Sequence, residues 1–196
     1  KNTRVVLMGS AAEYGIVHPK DNPISEMRSL APVSVYGLTK AWQSQLVSLF
    51  AGCGVDVIEA RGFNMDGPGL TERLFIGRLQ RQIEAVKSGR KHEIEVGNLS
   101  SVRDYISFGD AATQMEAIAL YGQSGLIYHV ASGVPVSMRE ILFRHLFNNG
   151  LDMSLVRERE AFSNHVGYDV PMIYADVSRT RQLLSSAAFT SGLDSP

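Results

Sequence analysis

The sequence has a single cysteine, almost no net charge and no long hydrophobic run. One cysteine, Cys53, excludes an internal disulfide bond and a cysteine-rich metal site, so we expect no metal centre and a cytoplasmic location. The formal net charge of −1 provides no basic surface field, so nucleic acid is not expected as the main partner. No segment approaches the roughly 18 continuous apolar residues of a transmembrane helix, so no membrane association is expected.

The 196 residues, 44% of them hydrophobic, are enough for one sizeable core, or for one domain and part of a second. A strand over 4–8, a helix over 35–51 and a strand over 55–60 are predicted to form a parallel βαβ crossover. Further helices are predicted over 74–88, over 109–121 and from a cap at Ser137 to about 147, with strands over 93–96 and 126–130. This alternation predicts an α/β fold. Cys53 lies between the first helix and the second strand, where a small packed thiol is expected.

Tyr36 and Lys40 are one helical turn apart, so the predicted helix places a phenol and an ammonium on one face. The ammonium favours the ionised phenol, which lets a tyrosine exchange a proton near neutral pH. The apolar run before Gly9 and Ser10 predicts a buried parallel strand that ends at the serine hydroxyl, where ligands bind in open α/β sheets. The pattern predicts the acid–base unit of a carbonyl/alcohol oxidoreductase, with a solvent-exposed helix face as the alternative.

Five groups of short motifs follow one another in a fixed order. They cover 8–15, 32–40, 61–64 with 67–69, 96–99 with 103–105, and 128–133. On these motifs the chain resembles the extended short-chain dehydrogenase/reductase family, the NAD(P)-dependent epimerase/dehydratases of nucleotide sugars. The resemblance covers residues 4–150.

The resemblance implies the carboxyl-terminal part of a Rossmann-like doubly wound parallel sheet, with a small α/β substrate-binding lobe. Residues 1–69 would form the second half of the Rossmann-like domain and carry the catalytic residues. Residues 70–196 would form most of the substrate-binding lobe, with segments near 103–135 returning to the Rossmann-like domain. The family's Gly-x-x-Gly-x-x-Gly turn for the cofactor pyrophosphate is not in the sequence. We therefore expect the carboxyl-terminal part of a longer protein, with cofactor binding a property of the intact enzyme.

The resemblance also implies roles for individual residues. Tyr36 would be the acid/base, Ser10 would hydrogen-bond the reacting sugar oxygen, and Lys40 would hold the nicotinamide ribose. The residues implied to bind NADP or NAD are Met8, Gly9, Tyr36, Lys40, Gly62 and Phe63. Those implied to bind the nucleotide sugar are Ser10, Asn64, Arg78 and Arg103, with both arginines at the diphosphate. The alternatives are a structural salt bridge between Arg103 and Asp104, and an exposed helical arginine at position 78.

The residues after Ser10 reduce the number of family reactions that the chain could catalyse. Family 4,6-dehydratases need an acid/base carboxylate two positions after this serine or threonine, and Ala12 stands there. Glu13 is one place late and is expected to point elsewhere. The 3,5-epimerase/reductases that make GDP-fucose use a cysteine at that position, which is also absent. These absences leave a 4-ketosugar reductase or a nucleotide-sugar 4-epimerase. The motifs over 9–15, 96–99 with 103–104, and 169–171 with 176–178 resemble most the GDP-4-keto-6-deoxymannose reductase branch. The resemblance therefore implies a nucleotide-4-keto-6-deoxyhexose reductase, with a nucleotide-sugar 4-epimerase as the alternative.

Several questions stay open at the level of the sequence. Val166 and Gly167 stand where the family has Arg-Pro, whose arginine reaches the nucleotide. A truncated, catalytically silent binding module on the same fold is the alternative from another class.

The helix over 35–51 is expected to pair two copies of the chain, because family members form homodimers through the equivalent helix. The sequence does not distinguish NAD from NADP.

Overall fold

The structure, a computed structural model, describes residues 3–159 and 170–191. In this part of the chain, strands and helices alternate. The strands are β1 (Val5–Ser10), β2 (Val57–Gly62), β3 (Asn64–Asp66), β4 (Ile94–Val96), β5 (Val102–Ser107), β6 (Ile127–Val130), β7 (Pro135–Ser137) and β8 (Val156–Glu158). The helices are α1 (Val35–Gly52), α2 (Phe75–Lys87), α3 (Phe108–Tyr121), α4 (Met138–Asn148) and α5 (Ser178–Ser191). The predicted α/β class is confirmed.

The sheet that carries the crossover is parallel and has the strand order β1-β2-β6. Val5 pairs with Val57 and Ser10 with Gly62, so β1 and β2 are in register along their whole length. Because α1 connects these two strands, the predicted parallel βαβ crossover is confirmed. The strand β1 is longer than the predicted span 4–8 and ends at Ser10, where the apolar run had placed the serine hydroxyl, since its main chain stays paired with β2 up to that residue.

Helix α1 buries small side chains and exposes large ones. It begins after Ser34, whose Oγ accepts a hydrogen bond from the Gly37 N–H at 3.0 Å. A Cβ at position 37 would lie 2.5 Å from the Ala12 carbonyl oxygen, so glycine is needed for the helix to approach that turn. The other buried residues of the helix are Ala41, Ser44 and Val47, whereas the exposed apolar ones include Leu38, Trp42, Leu46, Leu49 and Phe50.

The remaining strands form two smaller sheets. Strand β5 pairs with β3 in parallel and with β7 in antiparallel orientation, and β4 pairs in parallel with β8. Helix α4 begins at the predicted cap, where Ser137 Oγ accepts a hydrogen bond from the Glu140 N–H at 3.1 Å. Helices α2 and α4 share one core with β4, whose fully buried members include Leu79, Ile94, Leu142 and Leu146. Each such side chain contributes roughly 1.5–3 kcal/mol by its burial.

Some expectations are corrected and others stay predictions. Cys53 is exposed, so the expected packed thiol was wrong: α1 ends there, and the residues that follow lie at the surface. Val166 and Gly167 lie outside the described residues. The division of the chain at residue 69 and the cytoplasmic location stay predictions. Within 3–159 and 170–191, no helix is both long and apolar enough to cross a membrane, and no three metal-ligating side chains are grouped.

Candidate active site

A pocket of about 630 Å³ opens where β1 and β2 end. It brings together every site residue named from the sequence except Lys40. These lining residues are Met8, Gly9, Ser10, Tyr36, Gly62, Phe63, Asn64, Arg78 and Arg103. Because parallel strands end at one edge of a sheet, Ser10 and Gly62 are neighbours there although they are far apart in the chain.

Ser10 is the last residue of β1 and the cap of the 3-10 turn Ala11–Tyr14. Its Oγ accepts a hydrogen bond from the Ala12 N–H at 3.2 Å, and its own N–H donates to Glu13 Oε1 at 2.7 Å. This reciprocal capping fixes the main chain on both sides of the serine. The hydroxyl keeps its proton and a second lone pair for a ligand in the pocket.

Tyr36 and Lys40 have different surroundings although they lie one turn apart on α1. Tyr36 lines the pocket and is 57% exposed. Lys40 Nζ instead donates to the Met8 carbonyl oxygen at 2.7 Å and to Gln43 Oε1 at 3.0 Å. The ammonium is therefore bound to the main chain of a pocket residue, and it ties α1 to β1.

The floor of the pocket includes the main chain of two glycines. A Cβ at Gly9 would lie 2.2 Å from Glu59 Oε1 and 2.9 Å from Glu13 Oε1, which leaves no room for a side chain. A Cβ at Gly62 would lie 2.5 Å from the methyl carbon of Met8. At both positions the pocket is therefore lined by main chain, and Gly62 presents no side chain to a planar ligand at the strand end.

Polar groups on the other wall of the pocket come from β3, α2 and β5. Asn64 Nδ2 donates to the Asp104 carbonyl oxygen at 3.1 Å, and Arg103 Nη1 donates to the Val170 carbonyl oxygen at 2.5 Å. The Arg78 guanidinium has no hydrogen-bond or ion-pair partner within the described part of the chain. Since the described lining contains these two arginines and no carboxylate, the pocket favours an anionic ligand.

Asp104 has a structural role that differs from the salt bridge with Arg103, which was the alternative to diphosphate binding by that arginine. Its buried carboxylate accepts hydrogen bonds from the main-chain N–H groups of Ser132 at 2.8 Å, Gly133 at 2.9 Å and Ala175 at 3.2 Å. The Ser132 hydroxyl adds a fourth bond at 2.6 Å. Asp104 therefore holds two loops beside the pocket, and its contacts among the described residues do not include the Arg103 side chain.

A buried ionic cluster lies on the other side of Gly9. Arg61 Nη2 is 2.9 Å from Glu13 Oε2 and donates to Ser44 Oγ at 3.1 Å, while its Nε donates to Glu59 Oε1 at 2.8 Å. Ser44 Oγ donates in turn to Glu13 Oε2. Glu59 Oε2 is buried without a hydrogen-bond partner among the residues that the structure describes, and burial raises the pKa of Glu59 above its ordinary value.

Tyr14 and His129 extend this cluster. His129 Nδ1 lies 2.9 Å from the Asp176 carbonyl oxygen, which can only accept, so this nitrogen carries the proton. His129 Nε2 then accepts from the Tyr14 hydroxyl at 2.6 Å, and that oxygen accepts from Arg61 Nη1 at 2.8 Å. Burial lowers the pKa of His129 to about 4 and raises the pKa of Tyr14 to about 12, so both are neutral at pH 7.

The sequence interpretation missed the cluster, although β2 carries a signal for it. Glu59 and Arg61 alternate with Ile58 and Ala60 in a strand that is buried throughout. Charged residues two apart lie on the same face of a strand, and charges that are fully buried need partners. Glu13 points away from the pocket, as expected, and is one of those partners.

Comparisons with known proteins agree with this geometry. The family model for GDP-mannose 4,6-dehydratase matches residues 1–183. The chain is 28% identical over 130 residues to GDP-6-deoxy-D-mannose reductase from Pseudomonas aeruginosa, covering 65% of this chain and 38% of that protein. It is 25% identical over 182 residues to GDP-6-deoxy-D-talose 4-dehydrogenase from Aggregatibacter actinomycetemcomitans, covering 93% and 58%. The chain thus spans 38% and 58% of the lengths of these two relatives.

Solved structures show the same fold. RMD from Pseudomonas aeruginosa, complexed with NADPH, matches with a TM-score of 0.84 and 22% identity, over 94% of this chain and 61% of that one. Other structural neighbours, which are nucleotide-sugar enzymes of the same fold, are solved with NAD bound. The predicted Rossmann-like fold is confirmed.

Proposed function

The chain belongs to the GDP-mannose 4,6-dehydratase family, and from this premise we propose that the complete protein is an NAD(P)-dependent oxidoreductase acting at C4 of a nucleotide sugar. Within that class we propose a nucleotide-4-keto-6-deoxyhexose reductase. Family membership confirms the resemblance found in the sequence. The exact reaction is our inference from the residues of the pocket.

One observation supports this choice: the described lining of the pocket contains the hydroxyl and the phenol that a reductase would use, but no carboxylate for dehydration. Ser10 and Tyr36 line it together, whereas Ala12 stands where a dehydratase would need its carboxylate. Glu13, the nearest carboxylate in sequence, is 0% exposed and bonded to Arg61. Expulsion of water from a sugar requires a general acid at the leaving hydroxyl. A reductase requires only one proton at the reacting oxygen.

The pocket fits the nicotinamide end of NADP or NAD, since it is lined by the main chain of Gly9 and Gly62 beside Ser10 and Tyr36. When bound, the nicotinamide supplies the hydride. Tyr36 then donates its proton to the developing alkoxide at C4, and Ser10 donates a hydrogen bond to the same oxygen. Met8 and Phe63 would complete the nicotinamide side of the site.

Lys40 would act on both the tyrosine and the cofactor. Its charge favours the tyrosinate that proton transfer leaves behind. To hold the nicotinamide ribose hydroxyls, its ammonium would use its third N–H, because the other two donate to the Met8 carbonyl oxygen and to Gln43 Oε1. The bond to the Met8 carbonyl oxygen at 2.7 Å would keep it in place meanwhile.

Asn64, Arg78 and Arg103 would bind the nucleotide-sugar diphosphate. Arg78 is the strongest of these candidates, because its guanidinium is partly exposed, lines the pocket and has no partner among the described residues. Guanidinium groups bind phosphate oxygens through paired hydrogen bonds.

The direct test supplies the complete gene product with GDP-4-keto-6-deoxymannose and either NADPH or NADH. A reductase oxidises the reduced cofactor and the ketosugar disappears in equal amount. A 4-epimerase instead interconverts C4 epimers of a nucleotide sugar with no net change in cofactor. Formation of a 4-keto-6-deoxy product from a nucleotide hexose would contradict the proposal, as would binding of cofactor and sugar without turnover, which the silent-module alternative predicts.

We also propose that α1 pairs two copies of the protein. Leu38, Trp42, Leu46 and Leu49 recur at helical spacing and are between 39% and 61% exposed, so they form an apolar stripe beside the catalytic turn. A second copy with the same stripe would cover it in a two-fold interface. Trp42→Glu together with Leu46→Glu should convert the dimer to a monomer in analytical ultracentrifugation. An unchanged sedimentation coefficient would place the interface elsewhere.

A further inference from the structure

Glu13 is the carboxylate of the buried cluster that reaches the catalytic strand end. Its Oε1 accepts the Ser10 N–H at 2.7 Å. Its Oε2 accepts from the Ser44 hydroxyl and lies 2.9 Å from Arg61 Nη2. Both oxygens are therefore engaged, and the side chain is 0% exposed.

Ser44 connects the same carboxylate to the catalytic helix. It lies on α1 one turn after Lys40, and its Oγ is 3.3 Å from the Lys40 carbonyl oxygen. Glu13 thus touches the strand end that carries Ser10 with one oxygen and the helix that carries Tyr36 with the other. Buried charge-assisted hydrogen bonds of this kind hold geometry more firmly than neutral ones.

We propose that Glu13 is a positioning residue that sets the placement of the Ser10 hydroxyl relative to the Tyr36 phenol. This inference rests on the proposed function, in which both groups act on one sugar oxygen. The Glu13 carboxylate is held from three elements, by Arg61 on β2, by Ser10 on β1 and by Ser44 on α1. A misplacement of about 1 Å at such a site lowers turnover about a hundredfold.

A direct role of Glu13 in proton transfer to the substrate is incompatible with the geometry. The residue does not line the pocket, and a proton from its carboxyl would have to pass the main chain at Ser10. Glu59 offers a matched comparison, because it is equally buried and also bonded to Arg61 but has no bond to Ser10. Variants of these two residues therefore distinguish the positioning effect of Glu13 on Ser10 from the general effect of disturbing the buried cluster.

The experiment compares Glu13→Ala, Glu13→Gln and Glu59→Gln in the complete protein with two readouts. The first is residue-resolved hydrogen exchange at the Ser10 amide, which depends on the bond to Glu13 and not on turnover. The second is steady-state kinetics with the nucleotide ketosugar and reduced cofactor. Circular dichroism and thermal unfolding identify any variant that does not fold.

We expect Glu13→Ala to raise Ser10 amide exchange by about tenfold or more, the effect of losing one hydrogen bond to a charged group. Its kcat should fall about a hundredfold with KM changed by less than about threefold. Glu13→Gln should recover part of both losses, because its amide oxygen can still accept the Ser10 N–H. Glu59→Gln should leave both readouts near the wild-type values.

The two readouts keep this inference distinct from the proposed function. If the wild type transfers no hydride, the proposed function fails, while the exchange at Ser10 still tests whether Glu13 holds that residue. Unchanged exchange in Glu13→Ala would overturn the inference. Equal losses of kcat in Glu13→Gln and Glu59→Gln would also overturn it, because the cluster would then act only through stability.

Discussion

The two sides of the β1–β2 strand ends differ in charge and in access to solvent. The pocket side carries Arg78 and Arg103 and no carboxylate among its described residues. The buried side carries Glu13 and Glu59 around Arg61, all of them at most 1% exposed. The described pocket lining thus carries arginine charge without a carboxylate, whereas the charge of Arg61 is compensated by two buried carboxylates. Substitutions on the pocket side should alter turnover or affinity. Those on the buried side should alter stability, and the loss of Glu13 should lower turnover as well.

The largest effect is expected at Tyr36 on the pocket side. Tyr36→Phe removes the proposed proton donor, so kcat should fall about 10²- to 10⁴-fold, which corresponds to a barrier roughly 3–5 kcal/mol higher. The free energy of unfolding should change by less than about 0.5 kcal/mol, because the side chain is exposed. Steady-state kinetics, isothermal titration of ligands and urea unfolding give these three quantities. Near-normal turnover would remove Tyr36 from the mechanism.

Arg61→Met tests the buried side. Removing the guanidinium leaves two buried carboxylates without their counter-charge, so the free energy of unfolding should fall by about 3–5 kcal/mol. The quantity is measured by urea unfolding of the complete protein. Adding Glu59→Gln should restore part of the loss, since one uncompensated charge is then removed. A loss below about 1 kcal/mol in the single variant would mean that the cluster contributes little to stability.

His129 makes the stability of the buried side dependent on pH. Burial lowers its pKa from 6.5 to about 4, so the unfolded chain binds more protons than the folded one within that window. Stability should therefore be lost as pH falls from about 6.5 towards 4, by up to about 3 kcal/mol from this residue. His129→Gln should be less stable at pH 7, where its hydrogen bonds are lost, but should show a shallower acid dependence. If the wild type and His129→Gln lost unfolding free energy with the same slope as pH falls, other groups would be responsible for the loss of stability in acid.

Arg78→Met makes the same change on the pocket side that Arg61→Met makes on the buried side. It should lower ligand affinity and leave the free energy of unfolding unchanged. Losing one charge-assisted contact to a diphosphate should weaken nucleotide-sugar binding by about 1.5 kcal/mol, or roughly tenfold. The free energy of unfolding should stay within about 0.5 kcal/mol of the wild type, because Arg78 has no partner in the described structure. Titration calorimetry with a nucleoside diphosphate measures the first quantity. Unchanged affinity would leave the diphosphate to Arg103 and Asn64.

The sequence predicted the parts of the fold that depend on local patterns. The β1-α1-β2 crossover and the Ser137 cap follow from hydrophobic spacing and capping residues that lie close together in the chain. Of the strands with three residues, β4 was predicted, whereas β3, β7 and β8 were not, because so few residues show little periodicity. Those strands exist because neighbouring chain segments offer them hydrogen-bonding partners.

The buried cluster escaped prediction because its contacts join distant residues. Glu13 meets Ser44 across 31 positions and Tyr14 meets His129 across 115. Lys40 shows a second limit of local reasoning. Helical spacing placed its ammonium beside Tyr36, whereas its flexible side chain reaches the Met8 carbonyl oxygen. Spacing defines which face of a helix a residue occupies, and the nearest available acceptor decides where a long side chain goes.

At Gly9, only the main chain separates the pocket from the buried ionic cluster. Any side chain there would meet carboxylate oxygens at 2.2 and 2.9 Å on the buried side. Even alanine at this position would force the cluster to rearrange. Position 9 therefore tolerates no residue larger than glycine. To engineer the shape of the pocket, substitutions should be made at other lining residues, such as Leu70, Leu74 or Met138.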